Sequence, residues 1–267
     1  MTTITDSTDA RRVLADPRFL VPEADASPGP FGRFRADVSR FTNGPVHDER
    51  RRRLEAMLGE LDVQRIARIA AARTAAMAAH AGSDVALIAR QVPVATIAHE
   101  LGFAAPDTLP PLVAEVAAMY PSGLASDAAD DAVLRLLDAA PRSDHAGRTT
   151  DAALRVQLLV QSYTATATLI ETAIRRLDEA AHPSRIPTED VVIAVLRDEP
   201  PVRTTKRIAP DRAVITVHLD GPDRAAPADS GSLPLAFGAG PRRCPAPRHA
   251  IAIAVAVIDE LRVAGAC

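Results

Sequence analysis

The chain has 267 residues, 47% of them apolar but only 3% aromatic and none tryptophan, so its core must be built from Ala, Val, Leu and Ile, which suits closely packed helices. A formal net charge of −3 excludes bulk attraction to nucleic acid or to anionic membranes. The longest apolar stretch, Ile251 to Val257, is too short to span a bilayer, the start MTTITDSTDARR lacks a secretory apolar core, and two cysteines fit a reducing compartment; together these point to a soluble cytoplasmic protein.

Helical periodicity dominates the chain order. Asp6 to Ala15 reads as a short helix closed by Asp16-Pro17, and a Pro/Gly-rich loop runs from Val21 to Arg33. Helical patterns follow over Val46 to Leu58, Val63 to His80, Asp84 to Leu101 with a kink expected at Pro93, Leu109 to Met119, and Asp127 to Leu137. The longest candidate helix spans Thr149 to Ala181. Thr188 is placed to cap a helix that ends at Arg197, because Pro200-Pro201 cannot continue it. Ala213 to Leu219 alternates as a strand, with Lys206 to Ile208 as its expected partner. After a loop from Asp220 to Pro234, Pro245 to Val263 reads as a buried final helix. The fold class expected is mainly α with a small β component, in a single domain over residues 1–267.

Several motif fragments fail on spacing. His99-Glu100 begins a zinc-protease pattern, but Phe103 stands where the second His is required. Gly238-Ala239-Gly240 lacks the third glycine and the βαβ unit of a dinucleotide loop.

The segment Phe237-Gly-Ala-Gly-Pro-Arg-Arg-Cys-Pro-Ala246 is different. Its glycines allow a tight loop that Phe237 can cover, and Cys244 stands just before an expected helix start. Backbone N–H groups and the helix dipole there favour a thiolate, and Arg242 and Arg243 add positive charge. Taken alone, the same features also suit an inert buried Cys beside a turn.

Phe237 to Ala246 resembles the cysteine-ligand loop of the cytochrome P450 family, with Ala246 where that family usually has Gly. Ala10 to Phe19 resembles the family's B helix and the turn after it, Gly44 to Arg51 the start of its C helix, Asp84 to Phe103 its D–E region, and Thr188 to Lys206 its K helix. The resemblance implies a compact, shortened P450-like fold holding haem b, with Cys244 as the iron ligand, Phe237, Gly238 and Arg242 in the haem loop, and His47, Arg51, Arg207 and Arg242 holding the propionates. His47 and Arg51, four apart, share one helical face. Haem of type b is expected because no Cys-x-x-Cys-His site exists.

Departures from the pattern bear on function. The family's K-helix Glu-x-x-Arg is here Ala194-Val-Leu-Arg197, so Arg197 needs another acceptor or solvent, Asp198, Glu199 or a haem propionate being candidates. The I-helix motif becomes Gln161-Ser-Tyr-Thr-Ala-Thr166, with Thr164 in place of the acid that relays protons for dioxygen activation. Relative to the family, the N-terminal sheet is expected to be missing and the F–G and meander regions shortened. The resemblance thus implies an oxidoreductase tailoring a small molecule in specialised metabolism by peroxide-driven or non-monooxygenase haem chemistry, with Gln161, Thr164 and Thr166 lining the distal pocket. Two alternatives stay open: a non-catalytic partner or sensor protein, and a conventional monooxygenase fed by a ferredoxin-type donor. A homodimer would cover exposed helix faces.

Overall fold

The computed structural model describes residues 2–24, 28–79, 84–143, 151–221 and 233–265. Cys267, His80, the predicted helix start at Thr149 and most of the predicted loop before Pro234 lie outside them.

Short polar residues, four Asp and one Ser, cap five of the ten helices among the described residues. Asp6, Asp62, Asp84, Ser126 and Asp151 each accept a backbone N–H from the first turn that follows, in α1 (Ser7–Ala15), α4 (Val63–Ala78), α5 (Val85–Glu100), α7 (Asp127–Ala139) and α8 (Ala152–Asp178). The other helices are α2 (Pro30–Asp37), α3 (Gly44–Gly59), α6 (Pro110–Met119), α9 (Thr188–Asp198) and α10 (Pro247–Val263). Pro93 lies inside α5, buried, with helix continuing on both sides of it.

A small sheet completes the described structure in the order β1-β3-β2. Strand β2 (Thr204–Ile208) pairs antiparallel with β3 (Val214–His218), setting Arg207 opposite Ile215. Strand β1 (Thr2–Ile4) runs parallel along the other edge of β3. The alternation in the sequence predicts the β2–β3 pair but no N-terminal strand, because three residues beside a polar run carry too little alternation to register as one.

Two further differences have physical causes. Helix α2 lies partly within the predicted Val21–Arg33 loop, and it starts because Asp130 of α7 accepts the Phe31 N–H at 2.7 Å. Thr188 is the first residue of α9, not its cap; Pro187 holds the cap position, and the Thr188 hydroxyl instead contacts Asp259 of α10.

The core falls into three clusters. One gathers residues of α2, α3, α6, α7, the C-terminal half of α5 and the N-terminal half of α8; a second gathers α4, α9, α10, the N-terminal half of α5 and the C-terminal half of α8; a third joins α1 to the sheet through Leu235. Helix α8 therefore threads both large clusters, buried at Leu154–Val160 and again from Thr166. Between these stretches, Gln161 to Ala165 is half-buried or exposed, a polar break in the middle of the central helix. No helix among the described residues is long and apolar enough to cross a membrane.

Candidate functional site

The Cys244 loop is shaped by two glycines. A 3₁₀ turn over Leu235–Phe237 ends at Gly238, with φ +70°, and a second over Gly240–Arg242 opens with Gly240, at φ +66°. Leu235 anchors the first turn in the sheet cluster, and Phe237 packs half-buried against the α8–α10 cluster. A side chain on Gly240 would put its Cβ 2.5 Å from Ala15 Cα and 2.6 Å from the Leu14 carbonyl, so the loop can lie on the end of α1 only with glycine there.

This turn brings Cys244 back beneath Phe237. The Cys244 N–H donates to the Phe237 carbonyl at 2.6 Å, and the Ala246 N–H donates to Cys244 Sγ at 3.4 Å. Burial pushes the Cys244 thiol up, while the Ala246 amide and the charge of Arg51 pull it down. The thiol is free and burial prevails, so the chain alone holds it protonated; a soft metal ion at Sγ would reverse that balance.

The cations expected from the sequence gather around this loop. His47 is buried, with Nδ1 2.9 Å from Asp48 Oδ1, and burial lowers its pKa despite that carboxylate. Arg51 donates from Nε to Glu55 at 2.8 Å. A cleft of about 320 Å³ between α3 and the loop is lined by His47, Asp48, Arg51, Glu55, Gly240, Pro241 and Arg243. Arg242 reaches back across the molecule, donating to the Thr42 carbonyl at 2.5 Å and to Asn43 Oδ1 at 2.9 Å. Arg207 is buried on β2, where it donates to Thr205 Oγ1 at 3.0 Å and to its neighbour's carbonyl, Lys206 O, at 2.9 Å.

Arg207 and Arg242 therefore rest on neutral acceptors, and among the described residues neither forms an ion pair. Burial, with Arg40 nearby and for Arg207 also Arg242, lowers the pKa of each to about 10; at Arg242 the carboxylates of Asp48 and Glu23 oppose the shift. Like charges held together without counter-ions in a low-dielectric setting are costly unless an anion joins them. A sulfur donor on a glycine loop, with a guanidinium on that loop and a buried one nearby, is a donor set suited to an iron porphyrin: Cys244 would hold the metal, and the arginines would hold the two carboxylates. Sequence reasoning missed Arg40, since it belongs to no motif.

The distal candidates are less unified. Gln161 is half-buried, and its Oε1 accepts from Gln157 Nε2 at 3.1 Å. Thr164 is exposed, whereas Thr166 is buried. Two residues apart on a helix, these threonines point about 200° from each other, so the structure does not bring both to one pocket face. Gln161 and Thr164, three apart, share a side. Arg197 finds its acceptor next door: Nε donates to Asp198 Oδ1 at 2.9 Å, and Arg176 of α8 bridges Asp198 and Glu199. Arg197 thus pairs with the half-exposed acid that follows it, position 194 being alanine.

No family model and no curated protein matches the sequence. Solved structures do match in fold. P450BioI, in complex with an acyl carrier protein ligated to hexadec-9Z-enoic acid, superposes with a TM-score of 0.77 at 16% identity, over 98% of this chain and 84% of that one. A cytochrome P450 from the thermoacidophilic archaeon Picrophilus torridus, bound to 4-phenylimidazole, gives 0.73 at 18% identity, covering 98% and 88%. A mutant of P450 EryK in complex with erythromycin B gives 0.71 at 19% identity, covering 98% and 82%. The chain has the cytochrome P450 fold, mainly helical with a small sheet.

Proposed function

We propose that this chain is a haem-thiolate enzyme that modifies a small molecule. The observation that carries the reading is the pair of guanidinium groups, Arg207 buried and Arg242 half-buried, that rest on neutral hydrogen-bond acceptors near the loop that presents Cys244. Cys244 would ligate the iron of a non-covalently held haem b; Arg207, Arg242, Arg51 and His47 would hold its carboxylates; Phe237 and Gly238 would shape the loop against it. Bound haem would supply redox or Lewis-acid chemistry at iron, and the chain's part is to hold it, to release the Cys244 thiol proton, and to orient substrate.

On the distal side, Gln161 and Thr164 offer amide and hydroxyl groups on one side of α8, but the stretch Gln161 to Thr166 contains no carboxylate. That favours peroxide-driven oxidation, or a rearrangement or dehydration, over reductant-coupled hydroxylation. The neighbours that hold an acyl carrier protein conjugate and erythromycin B suggest a substrate of specialised metabolism. The single domain is inferred to act in the cytoplasm; a ferredoxin-type donor would be needed only by conventional chemistry.

The test is the ferrous–carbonyl absorption spectrum of the protein purified with haem supplied, beside Cys244→Ala. A thiolate-type red-shifted band, lost in the variant, is expected; no haem uptake would overturn the proposal. Turnover with peroxide but not with ferredoxin and reductant is the outcome expected for the altered chemistry. A second reading, a non-catalytic relative that binds a partner, draws on the opposed directions of Thr164 and Thr166. It would be favoured if Cys244→Ala left the cellular phenotype intact.

A further inference from the structure

We propose that Arg40, on the 3₁₀ turn Ser39–Phe41 between α2 and α3, is an additional cation for the haem carboxylates, and that Gln157 of α8 is the residue that positions it. The inference rests on the haem-thiolate reading above.

The turn is fixed from both ends. On one side the buried amide of Gln157 is committed to Ser39: Oε1 accepts the Ser39 N–H at 2.9 Å, and Nε2 donates to Ser39 Oγ at 2.9 Å. On the other side the Thr42 carbonyl and Asn43 Oδ1 hold the Arg242 guanidinium of the cysteine loop. Arg50 of α3 ties down the approach, donating to the carbonyls of Ala36 at 2.6 Å and Val38 at 3.0 Å. The segment 39–43 is thus a strap between the central helix and the cysteine loop, and Arg40 sits within it.

Arg40 itself is exposed, with its guanidinium 5.6 Å from the Phe41 ring centroid, and among the described residues no carboxylate pairs with it. Yet Arg40 adds to burial in disfavouring the charge on both Arg207 and Arg242, with Asp48 and Glu23 partly offsetting this at Arg242. An exposed cation on the strap that holds Arg242, close to a buried Arg207 as well, is repelled by both, and a dianion among them would relieve that repulsion. The strap fixes the backbone of Arg40, so the side chain meets an incoming carboxylate with little further ordering.

The experiment follows haem release to an excess of apomyoglobin from the loaded wild type, Arg40→Gln, Gln157→Leu and the double variant. It is repeated with haem dimethyl ester, whose carboxylates are masked. Arg40→Gln is expected to release haem about tenfold faster and the ester less than about twofold faster, the scale of one charge-assisted hydrogen bond. Gln157→Leu should accelerate release alone and add little to Arg40→Gln. Equal release by wild type and Arg40→Gln, or equal acceleration with the ester, overturns the inference while leaving the haem-thiolate reading standing. Failure of the wild type to take up haem overturns that reading and this one with it. Because Gln157 is buried, the deciding variant is Arg40→Gln, at an exposed site.

Discussion

Single atoms decide two features of the site. The Cβ that Gly240 lacks would meet the backbone of α1 at 2.5 Å, and backbone cannot turn aside as a flexible side chain can. Gly240→Ala would also force a side chain to φ +66°. We expect it to lower stability by more than about 2 kcal/mol in denaturant unfolding, the sum of left-handed strain and a displaced contact. Gly265→Ala, at φ +71° with open space around it, should show the strain alone, about 1 kcal/mol. Equal losses at the two positions would remove the close-approach argument. His47 gives a pH signature of opposite origin to a salt bridge. Burial depresses its pKa below 6.5, and burial does the same to His249. The unfolded chain then binds more protons between each folded value and 6.5, so stability of the haem-free protein is full above that pH and falls as the solution is acidified through the window. Unfolding free energies between pH 5 and 8 should show this slope, and His47→Gln should reduce it, leaving the part that His249 contributes. A slope unchanged in the variant would place the titration elsewhere.

Elements differ in how far away their causes lie, and this sets what can be read from the chain. Helices α4, α5 and α7 carry their own caps one residue ahead, at Asp62, Asp84 and Ser126, and their starts are legible. Helix α2 is short and begins with Pro30 after a glycine at φ +101°, a pattern that reads locally as loop. Its cap, Asp130, comes from α7, 99 residues away. Asp130→Ala should therefore fray a helix in which the residue does not lie, at a cost of about 1–2 kcal/mol. Hydrogen exchange over residues 30–37 would rise ahead of the rest, while Asp130→Asn, which keeps an acceptor, should restore most of the protection. Uniform exchange across the protein would argue that Asp130 matters only to α7. The same distance rule divides the candidate site. Cys244 and its glycines form one contiguous motif, and His47 and Arg51 share a helical face, so spacing reveals them. Arg40 gains its role through partners 118 residues from Ser39 and 200 residues from Thr42, where no local pattern can carry a signal. Thr164 and Thr166 show the converse: adjacent in a motif, they are separated by the helix itself.

At the scale of the whole molecule the charge is unevenly spread. The chain is net negative, −3, yet a buried Arg207 and a half-buried Arg242 lie near Arg40 with neutral acceptors. Such an arrangement opposes folding in the free chain and favours it once a dianion is bound, so stability and binding should move in opposite directions on mutation. Arg207→Met removes the most deeply buried of these charges, and the haem-free variant should be more stable than wild type by about 1–2 kcal/mol. Haem at about a thousand times its Kd adds about 4 kcal/mol, and for a domain of this size each kcal/mol moves the melting temperature by roughly 2–4 °C. Wild type should therefore melt about 8–16 °C higher when loaded. Arg207→Met should start from the higher baseline and gain less. Thermal melts of both proteins, with and without haem, measure all four states. If Arg207→Met melts lower than wild type without haem, its guanidinium is satisfied by the fold, and the uncompensated charge that points to the cofactor would no longer do so.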